Sequence, residues 1–160
     1  MGQKVNPIAF RTGVMEGWKS RWYAPKAEFA TLLVEDKRIR DFVKKHPTQN
    51  YKAAGIDRVE IERTRDEVKV TLFVARPGLI IGKKGQEVER LQNEMQNLIG
   101  RRINLKVEEI GRPDLQAQLV AEKISEQLQR RASFRRTMKR AAEESMDAGG
   151  GEVPQHGPEA

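Results

Sequence analysis

Apolar and polar residues alternate through two adjoining stretches of the chain and then give way to a longer period. Val59 and Ile61 sit between charged neighbours, Arg65-Asp66-Glu67 supplies a turn, and Val68, Val70, Leu72 and Val74 alternate with Lys69, Thr71 and Phe73. A period of two with one apolar set predicts an antiparallel hairpin with one buried face. Upstream, Phe29, Leu32, Leu33, Ile39 and Phe42 recur at helical spacing from about Pro25 to Lys45, with Pro25 suited to the first turn and Pro47 to the stop. A polar connection leads from there to the hairpin. Downstream, Leu79-Ile80-Ile81 is too apolar for an exposed turn and reads as a short buried helix. A longer helix starts at Gln86, carries Val88, Leu91, Met95, Leu98 and Ile99 on one side, and is capped by Gly100. Ile103, Leu105 and Val107 then alternate as a third strand. One long helical region follows from Pro113 to about Ser145, with Leu115, Leu119, Val120, Ile124 and Leu128 on a stripe continuing into Phe134 and Met138. Residues 1–24 show little periodicity and read as an arm. Residues 147–160 are rich in Gly and Pro and read as a disordered acidic tail.

Between the short helix and the longer one lies Gly82-Lys83-Lys84-Gly85. Glycines take backbone conformations closed to other residues and have no Cβ to hold a phosphate away from the main chain. The two lysines add charge where phosphates would pass, and the positive N-terminal end of the next helix faces the same way. A loop of this GXXG form clamps nucleotides by their backbone in KH domains. A glycine-bounded lysine pair is also an ordinary surface turn, and it is the flanks that decide between the two. A nucleotide-binding P-loop fits poorly: three residues separate Gly78 from Gly82, and Lys84 stands where a magnesium-ligating Ser or Thr is needed. The order helix, strand, strand, short helix, GXXG, helix, strand is that of a type II KH domain. The expected class is therefore α+β: a three-stranded sheet with helices on one face over residues 25–110, then a helical region over 111–146.

Charge sharpens this reading. The chain carries +7 overall, yet from Ala141 onward it holds five acids and no Lys or Arg, so residues 1–140 alone carry +12. Such an excess attracts nucleic acid through counterion release, although a basic surface can also serve solubility alone. Arg130, Arg131, Arg135, Arg136, Lys139 and Arg140 make the densest patch. Arg131, Arg135 and Lys139 are four apart and are expected on one helical face, repelling one another until a polyanion neutralises them. A solvated face normally mixes signs, and this run does not. In the arm, Trp18, Trp22 and Tyr23 are interleaved with Lys4, Arg11, Lys19, Arg21 and Lys26, a composition suited to stacking on RNA or, for some rings, to docking on the core. The candidate RNA contacts are Gly82, Lys83, Lys84 and Gly85 with Arg76 ahead of them, the six patch cations, and Lys4, Arg11 and Trp22. No run approaches a membrane span, there is no cysteine, and the start has no signal-peptide core, so the expectation is a cytoplasmic protein.

Four separated segments carry a family resemblance: Met1-Gly2-Gln3-Lys4-Val5-Asn6-Pro7, Arg58-Val59-Glu60-Ile61-Glu62-Arg63, Ala75 through the loop to Gly85, and Gln129 through Arg140. From Met1 to about Ala148 the chain resembles the bacterial-type KH-domain family of the small ribosomal subunit, conventionally numbered three. The resemblance implies a structural component of the subunit head in the cytoplasmic ribosome, bound to small-subunit rRNA beside the entrance through which mRNA is fed. Neighbouring head proteins ten and fourteen are implied as partners, with no cofactor, metal or small-molecule substrate. Arg130, Arg131, Arg135 and Arg136 match the family's mRNA-facing basic helix, which helps to separate base pairs. Family members continue into a second domain with its own sheet, whereas this chain leaves the pattern near Gly149, as expected of a truncated or frame-shifted product.

Two other functions compete. A DNA lyase is suggested by distant relatives, but His46 and His156 stand in no metal or triad context and Glu143-Glu144 lies on a polar helix end, so no catalysis is expected. A free regulatory KH module shares the chemistry and differs only in its partner.

Overall fold

The computed structural model describes residues 2–45, 49–65, 67–82 and 85–149, without the side chains of residues 49, 50 and 52. Its centre is the expected hairpin. Strand β2 (Ile56–Arg63) runs antiparallel to β3 (Glu67–Val74), and β4 (Arg102–Glu109) lies parallel to β3 on the other side. Pairing sets Val70 opposite both Ile61 and Leu105, and Leu72 opposite both Val59 and Val107, so one apolar row crosses three strands. A register shift between Ile56 and Arg58 inserts one residue into β2, which lets Ile56 and Val59 both reach the core despite their odd spacing. A two-residue strand, β1 (Ser20–Arg21), joins the free edge of β2 in parallel, adding a fourth strand to the expected three.

Parallel strands need a crossover. Here it runs from α4 (Pro77–Ile81) to α5 (Gln86–Ile99), and these two helices cover one face of the sheet. Leu91 and Met95 of α5 and Ile80 of α4 are fully enclosed with Leu72, Val70 and Ile61, each such side chain contributing about 1.5–3 kcal/mol by leaving water. Gln92 and Gln96 donate to the Ile103 carbonyl at 2.8 and 3.2 Å and pin α5 to β4. Helix α2 (Lys26–Lys45) completes the cover with α3 (Gln49–Ala54), a helix where a polar connection is expected; α3 buries Tyr51 and Ala54. The expected stop at Pro47 lies outside the described residues.

Several expectations are corrected. The core face of α2 is Leu32, Asp36, Ile39 and Val43, while Phe29 and Leu33 of the anticipated stripe are about half exposed. Of Leu79-Ile80-Ile81 only Ile80 is buried. The arm holds a short helix, α1 (Pro7–Arg11), with Asn6 Oδ1 accepting from the amides of Ile8 and Ala9. The single long helix is in fact three elements. A 3-10 turn at Pro113–Leu115 leads into α6 (Ala117–Gln129), and after a break α7 (Phe134–Gly149) returns antiparallel to it. Thr137 and Ala141 of α7 are buried against α6, Lys123 pairs with Glu144 at 2.7 Å, and Ser145 Oγ donates to the Asp114 carbonyl at 3.1 Å. Helix α7 thus takes in Asp147, Ala148 and Gly149 of the expected tail, and residues 150–160 lie outside the described ones.

Candidate nucleic-acid interface

The crossover places its loop at one end of the sheet. Arg76 precedes α4 and is exposed, its amide donating to the Ala54 carbonyl at 2.9 Å. Gly82 ends the helix with φ 66° and ψ −170°, its amide donating to the Gly78 carbonyl at 3.0 Å, and Gly85 opens α5 with φ 80°. Both conformations favour glycine. At Gly82 space forbids anything else as well, because a Cβ would lie 2.6 Å from Cγ and 2.9 Å from Cβ of Glu87. Lys83 and Lys84, the charges of the expected clamp, lie outside the described residues. Beside the loop the exposed sides of Leu79 and Ile81 leave apolar surface, against which a base can be buried. Burial pushes the nearby Tyr51 hydroxyl above its ordinary range, and Glu87 and Glu94 push it further, so it stays a neutral phenol at physiological pH.

The basic patch is divided by the break between helices. Arg130 is the C-cap of α6 and pairs with Glu126, whereas Arg131 sits in the linker with φ 62°, the one non-glycine residue with a left-handed backbone among those described. Arg131 therefore does not share a helical face with Arg135 and Lys139. Within α7, Lys139 approaches Glu143 at 3.8 Å and Arg140 bonds Glu144 at 2.9 Å. That carboxyl is held below its ordinary range, chiefly by the hydrogen bonds from Lys123 and Arg140. So the run does mix signs once folded. Arg131, Arg135 and Arg136 remain exposed with no ion pair among the described residues, and Arg135 lies 5.7 Å over the Phe134 ring. Phe134 and Met138 are 58% and 53% exposed, so the apolar edge of the patch is open. The charge order of α7 opposes its dipole, with cations at the positive N-terminal end and Glu143, Glu144 and Asp147 towards the negative one. Such an order weakens the isolated helix and concentrates positive potential where α7 begins.

In the arm, Lys4 and Arg11 are exposed, but Trp22 is docked. Its Nε1 donates to Asp36 Oδ2 at 2.8 Å and its ring meets Phe29 at 5.2 Å between centroids, so the half-buried indole is fastened to α2. The residue that organises this docking, Asp36, is fully buried and accepts also from Ser20 Oγ at 2.8 Å and from the Arg63 guanidinium at 2.6 and 2.8 Å. An acid in phase with Leu32, Ile39 and Val43 on a helix is the signal that could have found it.

The KH-domain family profile matches residues 38–115, which include β2 through β4 and the loop. The small ribosomal subunit protein uS3 of Rhodopirellula baltica is 75% identical over 150 residues, 93% of this chain and 64% of its own length. The uS3 protein of Finegoldia magna is 50% identical over 149 residues, covering 93% and 59%. That of Geotalea uraniireducens is 49% identical over 149 residues, covering 93% and 69%. The chain belongs to the uS3 family. It spans less than two thirds of the length of the first two of these uS3 relatives. Matches over 93% of the chain take in α6 and α7 as well as the KH domain, so the hairpin carrying the basic patch falls within the family likeness.

Proposed function

We propose that this chain is a constituent of the small ribosomal subunit that binds small-subunit rRNA and contributes to the entrance for mRNA. The observation carrying the reading is the 75% identity to a small-subunit protein across 93% of the chain. The chemistry agrees with it. The N-terminal end of α5, entered through Gly82 and Gly85, presents main-chain amides suited to phosphates, and the linker and first turn of α7 carry three cations with no ion pair among the described residues, which is what a polyanion's backbone requires. In this reading Arg131, Arg135 and Arg136 contact mRNA or rRNA directly, while Arg130, Lys139 and Arg140 exchange their glutamates for phosphates. Head proteins ten and fourteen are its neighbours, the cytoplasmic ribosome is its location, and no catalytic step is assigned. The test is cosedimentation of the tagged chain with small subunits. Material that stays with the subunit through a high-salt wash supports the reading, and material at the top of the gradient identifies a free RNA-binding module instead.

A further inference from the structure

A cleft of about 740 Å³ opens between the arm and two turns at one end of the sheet. Docking Trp22 inward on Asp36 obliges the next residue to point outward, and Tyr23 is 97% exposed on the rim. Facing it are Arg65 of the β2–β3 turn and Arg101 and Arg102 of the α5–β4 turn. Arg101 is held at 3.6 Å from Glu35, which Arg63 in turn grips at 2.8 Å, whereas Arg65 and Arg102 have no ion pair among the described residues. Glu28 and Glu67 also line the cleft, and because Arg63 and Arg101 are engaged by Glu35 and Asp36, the guanidiniums left for an anion there are those of Arg65 and Arg102. Its volume falls in the range of about 300–1,000 Å³ typical of small-ligand sites.

We propose that this cleft is a second RNA contact, separate from the GXXG loop and from α7, which takes one unpaired nucleotide with its base on the Tyr23 ring and its flanking phosphates on Arg65 and Arg102. The inference rests on the RNA-binding reading above and adds a site to it. An exposed ring between guanidiniums that have no ion pair among the described residues is the arrangement that single-stranded nucleic acid uses, bases stacking on the π face and cations tracking the backbone. Trp22 and Arg63 do not touch the nucleotide; they position what does. Nothing in the periodicity of the chain singles out Arg65 or Arg102, because they are brought together only by the sheet.

The experiment titrates a fluorescently labelled oligouridylate into the full chain at several salt concentrations, with Tyr23→Ala, Tyr23→Phe, the double variant Arg65→Gln/Arg102→Gln, and Arg135→Gln/Arg136→Gln. Loss of one stacked base weakens binding about tenfold in Tyr23→Ala, and Tyr23→Phe keeps the affinity. Removing two phosphate contacts lowers the slope of log K against log salt by about 1.4 in the Arg65/Arg102 variant. Wild-type affinity and slope in both cleft variants, with weakening in the Arg135/Arg136 variant, would refute the cleft and leave the RNA reading intact. No binding by the wild-type chain at any salt would bring down both. Unchanged RNA affinity with lost incorporation into small subunits would assign the cleft to a protein neighbour and overturn the proposal.

Discussion

Two glycines of one loop are not equivalent, and the difference can be measured. Gly82→Ala meets both a left-handed φ and Glu87 closer than any real Cβ contact, so a loss of about 1–3 kcal/mol is expected by thermal unfolding. Gly85→Ala meets open space and only the conformational cost, about 1 kcal/mol. Equal losses would mean that the Gly82–Glu87 contact is not formed. Arg131 presents the reverse case. Its left-handed conformation costs about 1–2 kcal/mol that glycine avoids, and glycine's extra freedom in the unfolded chain returns about half of that. Arg131→Gly is therefore expected to raise stability slightly while weakening RNA binding, the opposition that marks strain kept for a contact. Asp36→Ala should be the most damaging of the four. It takes from the buried Arg63 guanidinium one of its two carboxylates, leaving Glu35, and releases Ser20 and Trp22 together, at about 3 kcal/mol in denaturant unfolding. A loss below about 1 kcal/mol would show that the arm is not anchored through this carboxylate.

At the scale of elements, α7 is the part least secured. It buries only Thr137 and Ala141, and its remaining ties are exposed ion pairs and one hydrogen bond to Asp114, so it should open before the sheet does. Amide exchange is expected to be faster in α7 than in β3. The Glu144 carboxyl, with its folded pKa lowered by Lys123 and Arg140, stabilises α7 above the ordinary carboxylate range, and that contribution disappears as pH falls through the lowered value. Exchange in α7 should therefore accelerate more than exchange in β3 on acidification, once both are corrected for the intrinsic pH dependence. Equal response in the two elements would remove the Lys123–Glu144 tie from the account. The core strands and α5 were legible in the sequence because each sorts its own residues into an apolar and a polar face. The elements that escaped are those set from outside. β1 has no apolar residue and exists because Asp36 holds Ser20 and Trp22 in place. The break at 130–133 falls among good helix formers apart from Ser133, whose N-cap preference is its one local signal, and it lets α7 turn back and bury Thr137 and Ala141 on α6. Phe29 carries a core signal and packs instead on Trp22 near the surface. The loop's glycines were readable by spacing, and so was the pairing of half the patch cations, since each of Arg130, Lys139 and Arg140 lies four residues from its glutamate on one helix.

Across the whole molecule the positive charge is not spread evenly. On the sheet face away from the helices, Arg21 and Arg58 meet Glu60 at 3.7 and 3.1 Å, Lys69 meets Glu62 at 3.0 Å, Lys106 meets Glu108 at 2.7 Å, and Arg58 lies 4.0 Å over Phe73. Each of these four cations has a carboxylate partner, Arg21 and Arg58 sharing Glu60. Among the described residues, cations with no ion pair include those on the linker and first turn of α7, Arg65 and Arg102 at the cleft, Lys4 and Arg11 in the arm, and Lys37, Arg38 and Lys44 on α2. Exposed pairs contribute little to stability, so the pairing decides less about folding than about where a polyanion gains by releasing counterions. Substituting Arg131, Arg135 and Arg136 by Gln removes three cations that have no carboxylate partner among the described residues, and the slope of log K against log salt for single-stranded RNA should fall by about 2. Substituting Lys69 and Lys106 by Gln removes cations already paired with Glu62 and Glu108 on a face outside the proposed contacts, and the slope should stay as it is. Parallel titrations of the two variants settle whether RNA reads the local imbalance or only the net charge. If both flatten the slope in proportion to the charge removed, binding is diffuse and neither α7 nor its linker is a site.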